Sequence, residues 1–177
     1  LFSILKAAGY YTTWLSNQEY SGIWGNNGRI YAERCNARSF TKLRSSESFS
    51  IKDPCDAALL PLLDKTLVHP KAKNFIVLHL LGTHQKYSDR YPETFKAYSI
   101  NEEQGENEKM KMERANYDTS VRYNDSIMNA IIKRFENKDA IIIYTSDHGE
   151  DVMEINKKVA GHGDICINNR IVEIPMM

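Results

Sequence analysis

The sequence predicts an α/β fold, with a mostly parallel central sheet and helices on both faces. Three observations carry this. Two short, continuous apolar runs, NFIVLHLL at 74–81 and AIIIY at 140–144, have the composition of strands buried on both sides. Segments with helical spacing, 56–67 and 116–135, alternate with them, as βα units of a parallel sheet do. Each apolar run then ends in residues able to do chemistry, GTH at 82–84 and TSDHGE at 145–150. In open α/β sheets, ligands sit beyond the carboxyl ends of the strands.

The elements follow in order. Phe2, Ile4, Leu5 and Ala8 share one face of a helix that Gly9 stops. Tyr11–Leu15 is aromatic and β-branched and reads as a strand. Residues 16–31 carry Gly22, Gly25, Gly28 and three asparagines, which predicts a loop with a short helix near Ile23-Trp24. The polar stretch 36–53 reads as irregular. Asp56–Leu67 is amphipathic and helical, with Pro61 forcing a kink or a late start. Residues 85–110 are polar, and the acidic run 101–108 is a solvated loop or a helix start. A long helix is expected over 116–135, turning Val121, Ile127, Met128, Ile131 and Ile132 inward. Residues 140–144 form the next buried strand and 171–176 the last. The chain opens in mid-helix without Met and stops in a strand-like run. The expectation is a piece of a longer protein, truncated at both ends, in which the sheet is incomplete.

Lysine plus arginine and aspartate plus glutamate each number 23, so net charge is zero. That argues against bulk nucleic-acid binding, which needs a basic face, although Lys71-Ala72-Lys73 and Lys109-Met110-Lys111 are local basic patches. No run approaches the ~18–20 apolar residues of a membrane span. The cysteines, Cys35, Cys55 and Cys166, make no CxxC pair. A Cys35–Cys55 disulfide and idle thiols both remain open.

The candidate site starts at Asp147-His148. A carboxylate and an imidazole at a strand end are apt ligands for zinc or manganese. Gly149 would let the chain turn so that both reach one ion. The plainer alternative makes Asp147 a helix cap and His148 a satisfied polar residue. His162 shifts the balance, because it stands alone between Gly161 and Gly163. His84, after a different strand, brings a further imidazole to the same rim. His69, before Pro70, reads as a surface turn residue, and His79 as a satisfied core histidine. Arg90 can bind a phosphate oxygen bidentately or simply form a surface ion pair. Lys86 and Tyr87 are weaker candidates of the same kind. Tyr117, Asn124 and Asp125 read as helix packing and capping.

Together these residues carry a resemblance. LKAAGYYTTWLSNQ (5–18), DAALLPLLDKTL (56–67), FIVLHLLGTHQKYSDRYP (75–92), YDTSVRYNDSIMNAII (117–132) and YTSDHGEDVMEINKKVAGHG (144–163) stand in the order of the phosphoethanolamine transferase catalytic domain. That domain belongs to the alkaline phosphatase/sulfatase superfamily. The resemblance implies an alkaline-phosphatase-like fold, with residues 1–177 forming part of a single sulfatase-like catalytic domain. It implies Asp147 and His148 as ligands of a first metal, and His84 and His162 as holders of a second metal or the substrate phosphate. Arg90 and Lys86 would assist with substrate. The cofactor implied is zinc, one or two ions, with manganese less apt. The reaction implied moves phosphoethanolamine from phosphatidylethanolamine to a lipopolysaccharide acceptor, lipid A or a core sugar, through a phospho-threonine intermediate.

The nucleophilic threonine and an acidic ligand lie upstream of the LKAAGY helix in that family. Thr12, Thr13, Thr41, Thr83 and Thr145 do not match it, so this stretch alone is expected to be inactive. Membrane helices, also upstream, would anchor the protein in a bacterial inner membrane with this domain on the periplasmic side. Competing readings are a sulfatase or phosphoglycerol transferase on the same scaffold, and a non-catalytic binding module.

Overall fold

A computed structural model describes residues 1–22, 26–42, 55–155, 158–162 and 168–177. They fall into two units, 1–81 and 82–177. In the first, strand β1 (Tyr11–Glu19) lies between β2 (Ala37–Lys42) and β3 (Asn74–His79), and both pairings are parallel. Residues 12–17 of β1 are all buried, as a central strand covered on both faces must be. Side chains alternate along a strand, so Thr12, Trp14 and Ser16 face one way and Thr13, Leu15 and Asn17 the other.

On the Trp14 face, helices α1 (Phe2–Ala7) and α2 (Asn26–Glu33) close a core of Phe2, Trp14, Ala32 and Cys35, with Phe75 and Val77 against it. The Phe2 ring meets Trp14 and Phe75 edge-on, each at 6.0 Å. On the Leu15 face lies α3 (Leu59–Leu67), with Leu59 and Leu63 fully buried. Helices therefore cover both faces of a parallel sheet, as the sequence predicts. A 3-10 turn, Asp56–Ala58, precedes α3, and Pro61 falls in the first helical turn. The N–H that proline lacks would have no intrahelical partner there. Pro61 therefore delays the helix and does not kink it.

Two expectations fail in this unit. β1 runs on to Glu19 through residues expected to form a loop, and β2 occupies part of the stretch read as irregular. Polar side chains hid both strands. Asn17 Nδ2 donates to Asp56 Oδ1 (2.8 Å), and Asn17 Oδ1 accepts from Thr41 Oγ1 (2.6 Å). Ser16 Oγ meets His79 Nδ1 at 3.1 Å. These buried polar side chains have partners on neighbouring elements, so polarity does not exclude a strand. The helix near Ile23-Trp24 and residues 43–54 lie outside the described residues, while α2 starts at Asn26. Cys35 and Cys55 share no disulfide, and burial pushes the Cys35 thiol up. Cys166 lies outside the described residues.

The second unit is built on α4 (Glu108–Lys133). It starts within the acidic run, eight residues before the predicted start at 116, because Asn107 caps it by accepting from Met110 N at 2.9 Å. Glu108 in the first turn complements the helix dipole. The buried stripe is Met110, Ala115, Thr119, Ser120, Tyr123, Ile127 and Ile131. Val121 and Ile132, expected inward, are exposed, and Met128 is half-buried. The i, i+4 line through 119, 123, 127 and 131 sets the inner face, and it passes through polar residues.

Residues 140–144 are not a buried strand here. Ile141 is 91% and Ile143 75% exposed. Tyr144 and Met177 exchange backbone hydrogen bonds (2.8 and 3.0 Å), and Thr145 bridges Met176 antiparallel. A buried strand needs a neighbour on each side for its N–H and C=O groups. Among the described residues of this unit only the 176–177 segment supplies one. The predicted strand 171–176 instead opens as helix α5 (Asn169–Val172), because Asn168 Oδ1 caps Arg170 N at 2.9 Å. No helix among the described residues is long and apolar enough to cross a membrane.

Candidate metal centre

The site stands on a small core of the second unit, formed by Tyr87, Met110, Val152, Met153 and Ala160. Tyr87 is in a 3-10 turn (Tyr87–Asp89), and its ring meets Tyr117 of α4 edge-on at 5.1 Å. Polar fastenings hold the loops above. Buried Asp151 accepts the Glu154 and Ile155 N–H groups on Oδ1 (2.8 and 3.2 Å) and Asn168 Nδ2 on Oδ2 (3.0 Å). Asp151 and Gly161 exchange backbone hydrogen bonds. Gln85 Nε2 donates to Ala160 O at 2.9 Å.

Space requires one glycine here, and backbone conformation requires another. A Cβ on Gly149 would lie 2.0 Å from Arg170 O, and the Gly149 N–H donates to Ile171 O at 2.7 Å. Its role is close backbone approach, where the sequence suggested a turn. Gly161 has φ +119°, and a Cβ there would lie 2.7 Å from Gln85 Oε1.

On this frame His84, His148 and His162 come together. Ring centroids are 3.5 Å apart for His148–His162, 5.2 Å for His84–His162 and 6.4 Å for His84–His148. The same atom of each ring is occupied. His84 Nδ1 meets Gln85 O, His148 Nδ1 meets Gly149 O (2.9 Å), and His162 Nδ1 meets Glu150 Oε1 (2.7 Å). A carbonyl or an ionised carboxylate only accepts, so each Nδ1 carries the hydrogen, and in the neutral ring Nε2 keeps its lone pair. Three imidazoles are thus prepared to ligate or accept through Nε2.

Asp147, with its side chain 91% exposed, puts Oδ1 3.7 Å from His148 Nε2. Ligand bonds of about 2.0–2.1 Å in a tetrahedral site set neighbouring ligand atoms roughly 3.3 Å apart. The pair therefore needs little movement to share one ion. His148, Glu150 and His162 also offer ligand atoms within 4.8 Å of one another. Imidazole and carboxylate donors suit zinc.

Glu150 and Gln85 were missed by the sequence reading. The Glu150 side chain is only 4% exposed. Its Oε1 takes the His162 contact, and its Oε2 accepts from Tyr87 Oη at 2.7 Å. Burial, then the Glu150 carboxylate, drives the Tyr87 hydroxyl far above its ordinary range; the same two causes, in that order, raise Tyr117. Glu150 sits two residues beyond His148, so its proximity was legible, though its burial was not.

The remaining candidates divide. Arg90 is buried, so the surface ion pair is not what it makes; its Nε donates to Lys86 O at 3.2 Å and braces the loop that presents exposed Lys86. His79 is held by Ser16 and lies 5.2 Å from the Trp14 ring, a core histidine as read. His69 is exposed. Asn124 Nδ2 donates to Tyr144 Oη (3.2 Å), and exposed Asp125 stands 3.7 Å from Arg122 on the surface of α4. A cleft of about 580 Å³ opens beside His148 and Glu150, lined also by Thr83, Tyr117, Asp118 and Arg114.

The Sulfatase family model matches residues 1–177. The chain belongs to the Sulfatase family. Within it, the chain is 30% identical over 159 residues to phosphoethanolamine transferase EptC of Escherichia coli (strain K12), covering 87% of this chain and 27% of that protein. It is 26% identical over 160 residues to the Kdo(2)-lipid A phosphoethanolamine 7''-transferase of the same strain, again covering 87% and 27%. The crystal structure of the C-terminal periplasmic domain of E. coli EptC, a complex with zinc, superposes with a TM-score of 0.83 at 28% identity. That match covers 99% of this chain and 50% of the crystallised one. The chain thus spans about a quarter of these curated relatives, and its α/β fold is that of the EptC domain.

Proposed function

We propose that this chain is part of a single zinc-dependent catalytic domain, in an enzyme that transfers phosphoethanolamine from phosphatidylethanolamine to a lipid A or core-sugar acceptor. The observation that carries this reading is the convergence of three imidazoles, all with Nε2 available, beside the exposed Asp147 carboxylate. The similarity to EptC and to the lipid A transferase supports the choice of transferred group. In this reading Asp147 and His148 hold the first ion. His84 and His162 hold a second ion or the oxygens of the transferring phosphate. Bound zinc lowers the pKa of an attached hydroxyl and offsets phosphoryl charge. The chain's own residues bind and orient: Lys86 offers a cation to phosphate oxygens, and Arg90 keeps its loop in place.

The nucleophile is a threonine upstream of residue 1: its hydroxyl oxygen bonds to the donor phosphorus as diacylglycerol leaves with a proton, and an acceptor oxygen then takes the phosphoethanolamine and releases the threonine hydroxyl. Thr83 and Thr145 take no part in that step. The donor is a membrane lipid, so the reading includes membrane anchoring outside this stretch and a periplasmic catalytic domain.

The test uses the full-length protein in detergent, with phosphatidylethanolamine and lipid A, followed by mass spectrometry of the acceptor. Wild type should add phosphoethanolamine, and Asp147→Asn or His148→Ala should cut transfer by about 10³-fold or more, the scale of losing a core electrostatic group. Near-wild-type turnover by either variant, or sulfate-ester hydrolysis with no transfer by wild type, would overturn the proposal.

A further inference from the structure

We infer that Tyr87 and Glu150 form a positioning relay that fixes the proton and the plane of His162. The inference rests on the reading above for the part His162 plays. Its geometry stands by itself. Tyr87 Oη donates to Glu150 Oε2 (2.7 Å), and Glu150 Oε1 accepts from His162 Nδ1 (2.7 Å). The three groups form an unbroken line from the core to the site rim. Tyr87 is 1% exposed and the Glu150 side chain 4%, while His162 is about a third exposed at its side chain. Water has little access to the inner links, so the hydroxyl is the principal anchor for Oε2 and the carboxylate the principal anchor for the ring.

The three imidazoles are not held alike. His84 and His148 give Nδ1–H to backbone carbonyls of the residues that follow them. Those carbonyls are neutral and move with the histidine's own loop. Of the three, His162 is the one hydrogen-bonded to a charged side chain, for Glu150 Oε1 stands 4.0 Å from His148 Nδ1, and charge-assisted hydrogen bonds are about twice as strong as neutral ones. His162 also needs it most, because its loop passes through Gly161 at φ +119°. A carboxylate behind an imidazole fixes the tautomer and raises the basicity of the far nitrogen. Both oxygens of Glu150 are engaged in this way, and in this inference Glu150 orients His162 while Asp147 and the Nε2 atoms ligate. The Tyr87 ring, set against Tyr117, stops the carboxylate from rotating.

The test combines a spectroscopic signature with kinetics in the full-length protein. With 15N-histidine labelling, His162 should show a protonated Nδ1 with a resolved one-bond coupling, protected from exchange. Glu150→Gln should remove that resonance or move the proton to Nε2. Tyr87→Phe, which keeps the ring packing, should retain the proton but speed its exchange. For transfer, Glu150→Gln should lower kcat about 10–100-fold, the range for residues behind a metal-site histidine. Tyr87→Phe should lower kcat less, with KM little changed in both. The double variant should be no worse than Glu150→Gln alone. An unprotonated Nδ1 in wild type, an unchanged resonance in Glu150→Gln, or additive losses would overturn the inference. A wild-type protein with the expected resonance and no phosphoethanolamine transfer would instead overturn the functional reading and leave the relay standing.

Discussion

Residues 1–81 and residues 82–177 hold their backbones by different means. In the first unit the backbone is paired in a parallel ladder, and the interior polar side chains meet one another across elements. Asn17 links Asp56 and Thr41 beneath a core of Leu15, Leu59 and Leu63. In the second unit the bridging backbone pairs lie at Thr145–Met176 and Asp151–Gly161. Its loops are fastened by side chains reaching backbone: Gln85 to Ala160, Asp151 to Glu154 and Ile155, Arg114 Nη1 to Gln104 O. Both units have an apolar core, but the first adds a continuous backbone ladder, whereas the second holds its loops by separate side-chain contacts. Apolar contacts tolerate small displacements; a 2.7 Å hydrogen bond does not. The candidate site lies in the second unit, on loops placed by such bonds.

That contrast can be broken at its strongest point first. Leu63→Ala removes a fully buried side chain of α3 and should cost about 3 kcal/mol, within the usual span for such cavities. Hydrogen exchange should show the loss in the amides of β1 and α3, with the His162 Nδ1–H signal retained. Loss of that signal at unchanged β1 protection would contradict the division. Gly149→Ala attacks the other unit through the backbone. Its Cβ cannot share space with Arg170 O, so a cost of about 1–3 kcal/mol is expected, together with weaker zinc binding. Thermal melts and metal titration check it, and a variant as stable as wild type would show that the 149–171 approach is loose.

The smallest effect sharpens the electrostatic side. Desolvation holds the Asp118 carboxyl above the ordinary carboxylate range, against the opposing pull of the Glu103 hydrogen bond and Arg114. A raised folded-state pKa favours the neutral acid. The stability it contributes is complete below the unfolded value of about 3.9 and is lost as pH rises through the folded value. Asp118→Asn cannot ionise, so it should melt slightly above wild type at pH 7, with the gap closing below about pH 4. A gap that widens in acid would reverse the assigned sign.

Legibility in the sequence followed the same line. Apolar periodicity located α1, the start of β1, the late start of α3, and β3. It failed where polar residues were interior, as at Ser16, Asn17, Thr119 and Ser120. It failed again at 140–144, where a strand-like run lacks strand neighbours among the described residues of its unit. The histidines of the site were legible because imidazoles beside glycines after apolar runs have few structural uses. Glu150 was not, since an acidic residue in a polar loop gives no sign that its side chain will be buried.

The sequence by itself determined the α/β alternation, the covering of a parallel sheet on both faces, and which residues are able to ligate. Those properties are local: they depend on composition and on spacing within one turn or one strand. Only the tertiary structure decided which nitrogen of each imidazole is free, why Gly149 and Gly161 must lack a Cβ, and that a buried tyrosine and glutamate stand behind His162. These depend on partners distant in the chain. Asn17 and Asp56 are separated by 39 residues, Tyr87 and Glu150 by 63, and Gln85 and Ala160 by 75. No window along the sequence contains both halves of such a contact, so the fold alone brings them within hydrogen-bonding reach.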